Sequence, residues 1–119
     1  MTNKLRQNVD RAIDWICRAQ DADRSGGVPA YYMPLRKWSA PYPETTGYII
    51  PTFVQLARHW KRPDLKERAI RMGDWLLSIQ MQNGAFQAGT WVEGRQASPS
   101  IFNSGQILLG LVALAGATN

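Results

Sequence analysis

The chain carries its own pattern twice. Displaced by 60 residues, Leu5 falls on Leu65, Arg11 on Arg71, Asp14 on Asp74, Trp15 on Trp75 and Gln20 on Gln80, so that "DWICRAQ" returns as "DWLLSIQ". With two residues removed from the first loop the displacement becomes 58, and Gly26, Ala30 and Pro41 meet Gly84, Ala88 and Pro99. Gly47, Ile49, Val54, Leu56 and Ala57 then meet Gly105, Ile107, Val112, Leu114 and Ala115. Thirteen identities in register with one gap point to duplication of a structural unit. The expectation is one domain, residues 1–119, built of two repeats at about 3–60 and 63–117.

Each repeat reads as helix, long loop, helix. Leu5, Val9, Ala12, Ile13, Ile16 and Cys17 recur at three- and four-residue steps, with Thr2 or Asn3 available as N-cap. A second helix is expected over about Thr46–His59, with Pro51 bending it. A third is expected after Arg62–Pro63, capped by Asp64, with a stripe of Leu65, Ala69, Met72, Leu76 and Leu77. A fourth is expected to start near Asn103–Ser104. No strand-like alternation of useful length intervenes, so the predicted class is all-α.

The loops are unequal, and that has a geometric result. They run from about 21 to 45 and from 82 to 103, whereas only Trp60–Asp64 joins the repeats. In a series of antiparallel helices both long loops then emerge at one end, together with the N-termini of the second and fourth helices. That end is where function is expected. The first and third helices carry charge along one side and belong outside. "TTGYIIPTFVQLA" and "NSGQILLGLVALA" have almost none, which predicts inner helices covered on several sides.

Composition removes several classes. The net charge of +5 is spread over helices that also carry acids, without a block of like charge, so a nucleic-acid interface is not expected. Cys17 is the only cysteine and His59 the only histidine, which excludes an internal disulfide and argues against a metal site. No cofactor signature is present. The apolar run Ile107–Ala115, broken by Gly110, is too short to span a bilayer, and "MTNKLRQNVD" lacks a leader's apolar run. A soluble cytoplasmic protein is the expectation.

A tryptophan near an outer-helix end, a following glutamine, a glycine-bearing loop and then "YPETTGY" or "FNSGQ" opening an apolar helix resemble the α/α-toroid repeat proteins. These include prenyltransferase and squalene-cyclase-like repeats and six-hairpin glycosidases. "YPETTGYIIPTF" and "FNSGQILLGL" look closest to uncharacterised bacterial toroid proteins associated with polysaccharide biosynthesis. The resemblance implies two hairpins of a fold that closes with about six. It does not carry isoprenoid chemistry across. Phe86 in "QNGAF" and Val28 stand where cyclase repeats place tryptophan, "DADR" is no Asp-x-Asp-Asp motif, and prenyltransferase zinc ligands are missing.

The loop-rich end gathers Tyr31, Tyr32, Arg36, Trp38, Tyr42 and Tyr48 from the first repeat, and Trp91, Arg95, Asn103 and Gln106 from the second, as candidate substrate-binding residues. Aromatic faces stack on sugar C–H groups, while amides and arginines bond hydroxyls. Glu44 and Glu93 are the candidate catalytic pair, since glycan chemistry is run by two carboxylates. Glu44 also suits the first turn of a helix, where its charge meets free N–H groups. A carbohydrate-directed face is therefore the leading expectation, with a non-catalytic assembly module and an isoprenoid-binding cavity behind it. Two hairpins leave inner helices uncovered at both edges, so a homo-oligomer is expected, a trimer making six hairpins. The alternative is a self-contained four-helix bundle.

Overall fold

The computed structural model describes residues 2–119. Four helices dominate it: α1 (Asn3–Ala22), α2 (Pro43–His59), α3 (Pro63–Ile79) and α4 (Ile101–Thr118). A small antiparallel hairpin, β1 (Tyr32–Met33) and β2 (Lys37–Trp38), interrupts the first loop, so the class is mainly helical rather than purely so. Its register pairs Tyr32 with Trp38 and Met33 with Lys37. Lys37, at φ 62°, closes the turn.

The helix ends follow local chemistry. Thr2 caps α1 by accepting a hydrogen bond from the Leu5 N–H at 3.3 Å. Pro43 and Pro63 occupy the first positions of α2 and α3, where a missing N–H costs nothing. Helix α2 thus begins three residues before the expected Thr46, because its fixed φ lets Pro43 enter the helix. Asp64 does not cap α3: it lies inside the first turn, held by the Arg62 guanidinium at 2.8 and 2.7 Å. Asn103 does not cap α4 either. Ser100 does, accepting from the Asn103 N–H at 3.2 Å, so the helix starts earlier than expected. Helix α2 ends with the Arg62 N–H donating to the Ala57 carbonyl at 3.0 Å and Lys61 left-handed at φ 52°, in the position glycine usually fills.

Helix α2 packs against both α3 and α4. A Cβ placed on Gly47 would sit 2.6 Å from the Ile107 Cα, and one on Gly110 would collide with the Gly47 carbonyl and approach Ile50. Contacts thus advance from 47 to 50 on α2 as they advance from 107 to 110 on α4, so the two helices run parallel and nearly touch. Ile50, Phe53, Leu65, Met72, Leu76 and Ile107 are completely covered.

The expectation that both apolar helices are covered on several sides holds for α2 and fails for α4. Only Asn103, Ile107 and Gly110 of α4 are buried, while Ile101, Phe102, Leu108, Leu109 and Val112 lie exposed. The apolar run judged too short for a bilayer belongs to an 18-residue helix without charge. By length and composition alone, α4 is long and apolar enough to cross a membrane.

Candidate functional site

The two long loops are tied down by one scheme of hydrogen bonds. In the first, the Val28 N–H donates to Thr46 Oγ1 at 2.9 Å and the Tyr42 N–H to the Val28 carbonyl at 2.8 Å. In the second, the Phe86 N–H donates to Ser104 Oγ at 2.8 Å and the Ser100 N–H to the Phe86 carbonyl at 2.9 Å. Pro29 bridges Pro41 as Gln87 bridges Pro99. Gln20 donates to the Gly26 carbonyl at 3.0 Å as Gln80 does to Gly84 at 2.7 Å, and both glycines have positive φ. Each pair except the glutamines is 58 residues apart, and the glutamines are 60 apart. The hydroxyl side chains at 46 and 104, unlike in type but alike in function, were invisible to an identity count.

This scaffold places the candidate residues in three groups. The first stands where α2 and α4 begin side by side. Glu44 and Tyr48 are one turn apart on α2, Phe102 and Gln106 occupy the matching positions on α4, and Tyr42 precedes α2. Glu44, Asn103 and Tyr48 are the polar neighbours that act on the Tyr42 hydroxyl. Burial, followed by the neighbouring Glu44 carboxylate, pushes the hydroxyl's pKa above its ordinary 10.0, and the Asn103 amide pulls against this. Asn103 is buried and also donates to the Gln87 carbonyl at 3.3 Å, which fixes its amide. Glu44 sits in the first turn of α2 but makes no capping bond; Tyr42 precedes the helix without one.

The second group departs from expectation. Tyr32 and Trp38 do not gather around Glu44. Trp38 packs on Trp15 of α1 at 5.1 Å between ring centroids, and Tyr32 meets Trp38 edge-on at 4.8 Å. Trp91 likewise turns edge-on to Trp75 of α3 at 6.5 Å, while its backbone N–H donates to the Pro41 carbonyl at 2.8 Å. Each long loop therefore folds an indole back over its own outer helix, because burying aromatic area outweighs projecting it into water. Tyr31 and Arg36 stay exposed on the first loop.

The third group is the tip of the second loop. Glu93 is exposed beside Gly94, and no hydrogen bond or ion pair joins it to Glu44 or to any other described side chain. Arg95 folds back onto Thr90. No contact joins the two candidate carboxylates, Glu44 and Glu93.

A sizeable cavity lies at the opposite end, where it escaped sequence reading. Between the last turns of α2 and α4 a groove of about 850 Å³ is walled by Pro51, Val54 and Gln55 on one side and Ala113, Gly116 and Ala117 on the other. Arg58, Lys61 and Lys66 line it, and no acid does. It opens because Ala113 and Gly116 stand where the first repeat has Gln55 and Arg58. The signal was the loss of bulk between repeats. Among the described residues no cluster of metal-binding side chains occurs. Cys17 is half-buried against the core, and burial pushes its thiol above 9.0, with Arg68 opposing.

No protein-family model matches the chain, and comparison with curated proteins and with solved structures finds no match.

Proposed function

We propose that this chain is a carbohydrate-directed helical-repeat module of α/α-toroid type whose ligand face is the paired start of α2 and α4. The observation that carries the reading is the gathering of Tyr42, Glu44 and Tyr48 with the buried Asn103 where α2 and α4 start side by side. A carboxylate accepts hydrogen bonds from neighbouring sugar hydroxyls, a fixed amide adds a donor and an acceptor, and the exposed Tyr48 and Phe102 rings offer stacking faces. The reading is one of binding. It assigns no acid–base role to Glu44 and Glu93.

The groove sharpens the ligand class. Glu44 and Arg58 are 14 residues apart on α2, about 20 Å along the axis. A chain of sugars following the helices from the rim would reach three cations, which favours an acidic glycan. Titration calorimetry with uronate and neutral oligosaccharides tests this. Saturable uronate binding is expected, weakened about tenfold, or about 1.4 kcal/mol, by Tyr48→Ala and by Glu44→Gln. A lack of saturable sugar binding, or full affinity in both variants, removes the proposal.

A further inference from the structure

Sugar binding leaves the flank of α4 unexplained. Its apolar residues are not random. At the junction inside the chain, α2 of the first repeat seats against α3 and α4 of the second, and residues on both sides vanish from solvent. The repeat offset maps that junction onto the two free edges of the molecule. On the trailing edge, Ile50 is fully buried while its counterpart Leu108 is 58% exposed. Gly47 is pressed on Ile107, whereas Gly105 has open space. On the leading edge, Leu65 is fully buried and Trp75 5% exposed, while Leu5 is 52% and Trp15 46% exposed. One edge carries the plug of the internal junction and the other carries its socket.

From this continuity we infer that copies of the chain join head to tail, α4 of one copy seating on α1 and α2 of the next as α2 seats on α3 and α4 within the chain. Leu108 then meets the region of Thr52, and Gly105 that of Ile49, in the way Ile50 meets Gly110 and Gly47 meets Ile107. The contact is heterologous, so it uses both edges at once and permits closure into a ring. Burial of unpaired apolar surface drives it.

Three substitutions make this junction looser than the internal one. Thr52 stands where Gly110 allows close approach, and Ala85 where Gly27 lies under Trp75. Asn8 stands where Arg68 bonds Gln20 and Asp21 across the internal junction at 3.0 and 2.8 Å. Association is accordingly reversible and concentration-dependent.

Sedimentation velocity over a rising protein concentration tests the inference, using the full chain, Leu108→Glu and Leu5→Glu. Both positions are exposed, so each variant should melt like the wild type at high dilution. The wild-type mass is expected to rise above that of a monomer, each variant alone to stay monomeric, and an equimolar mixture of the two to give a dimer and nothing larger. If Leu5→Glu disturbs folding, Ala12→Glu takes its place, at an exposed position whose counterpart Met72 is fully buried. A wild type that remains monomeric overturns the inference. So does retention of the oligomer by the Leu5 variant, which would indicate α4 pairing with α4, or a mixture that stays monomeric. Flotation with phospholipid vesicles in place of self-association would assign the α4 flank to a membrane and overturn it as well.

Discussion

The two repeats are built to one plan and live in different surroundings. In the first, the loop glycine Gly26, the clamp residue Gln20 and the helix glycine Gly47 are all buried, because the second repeat lies over them. In the second, Gly84, Gln80 and Gly105 make the same turns and clamps in contact with water. Helices α3 and α1 differ in the opposite sense: Leu65 and Trp75 are covered while their counterparts Leu5 and Trp15 are exposed, although Ile13 of α1 is buried. The difference teaches that local bonding fixes each hairpin, whereas burial belongs to the junction between hairpins. Repeat proteins in general draw their stability from such neighbour contacts.

That contrast can be broken first at the outer helices. Leu65→Ala should cost about 2–5 kcal/mol, since it empties a fully enclosed site. Leu5→Ala in the dilute monomer should stay within about 0.5 kcal/mol, as surface changes do. Urea denaturation of the two variants at equal concentration measures the gap. Equal costs would mean that the leading edge is already covered in solution.

The glycines give a smaller effect with opposite signs. Gly110→Ala forces a methyl into the Gly47 carbonyl and should destabilise by about 1–3 kcal/mol. Gly105→Ala meets nothing within 4 Å and should stabilise by up to about 1 kcal/mol through helix propensity. Thermal melting of the pair reads both signs. A destabilising Gly105→Ala would indicate a partner already pressed against α4.

The smallest effect concerns acid. Asp21 of the first repeat pairs across the junction with Arg68, whose hydrogen bonds and charge hold its carboxyl below the ordinary 3.8. The depressed folded value means that this contribution is complete above about pH 4 and fades as pH falls through the lower folded value. The carboxylate is more than half exposed, so the contribution is modest. Stability curves of wild type and Asp21→Asn should converge below that pH and separate slightly above it. Parallel curves would show that the pair adds nothing. No counterpart exists at the edge, where Asn8 and Met81 occupy the corresponding positions.

Much of the fold was legible in residues. The paired "DWICRAQ" and "DWLLSIQ", the break at Arg62–Pro63 and the offset of 58 located four helices and two long loops. Helix starts were misplaced by a few residues because a proline at the first position and a serine three residues before Asn103 act through backbone geometry. The candidate site was legible in part. Tyr42, Glu44, Tyr48, Asn103 and Gln106 share a rim because helical spacing and parallel packing bring them together. Trp38, Tyr32 and Trp91 went elsewhere, since an indole on a flexible loop lies wherever it covers most apolar surface, and only the folded chain shows where that is.

The amino-acid order by itself determined the repeat and its helices, because those depend on spacings a few residues long or on a recurring offset; the hydroxyl clamps of the loops, which reach across 18 residues, came only with the folded chain. Tertiary structure alone decided that α2 is enclosed while the equally apolar α4 is exposed along one flank, and that an apolar groove rimmed by cations lies at the short-link end. Apolar sequence states a demand for burial; whether a neighbour meets it depends on which surfaces the chain brings together.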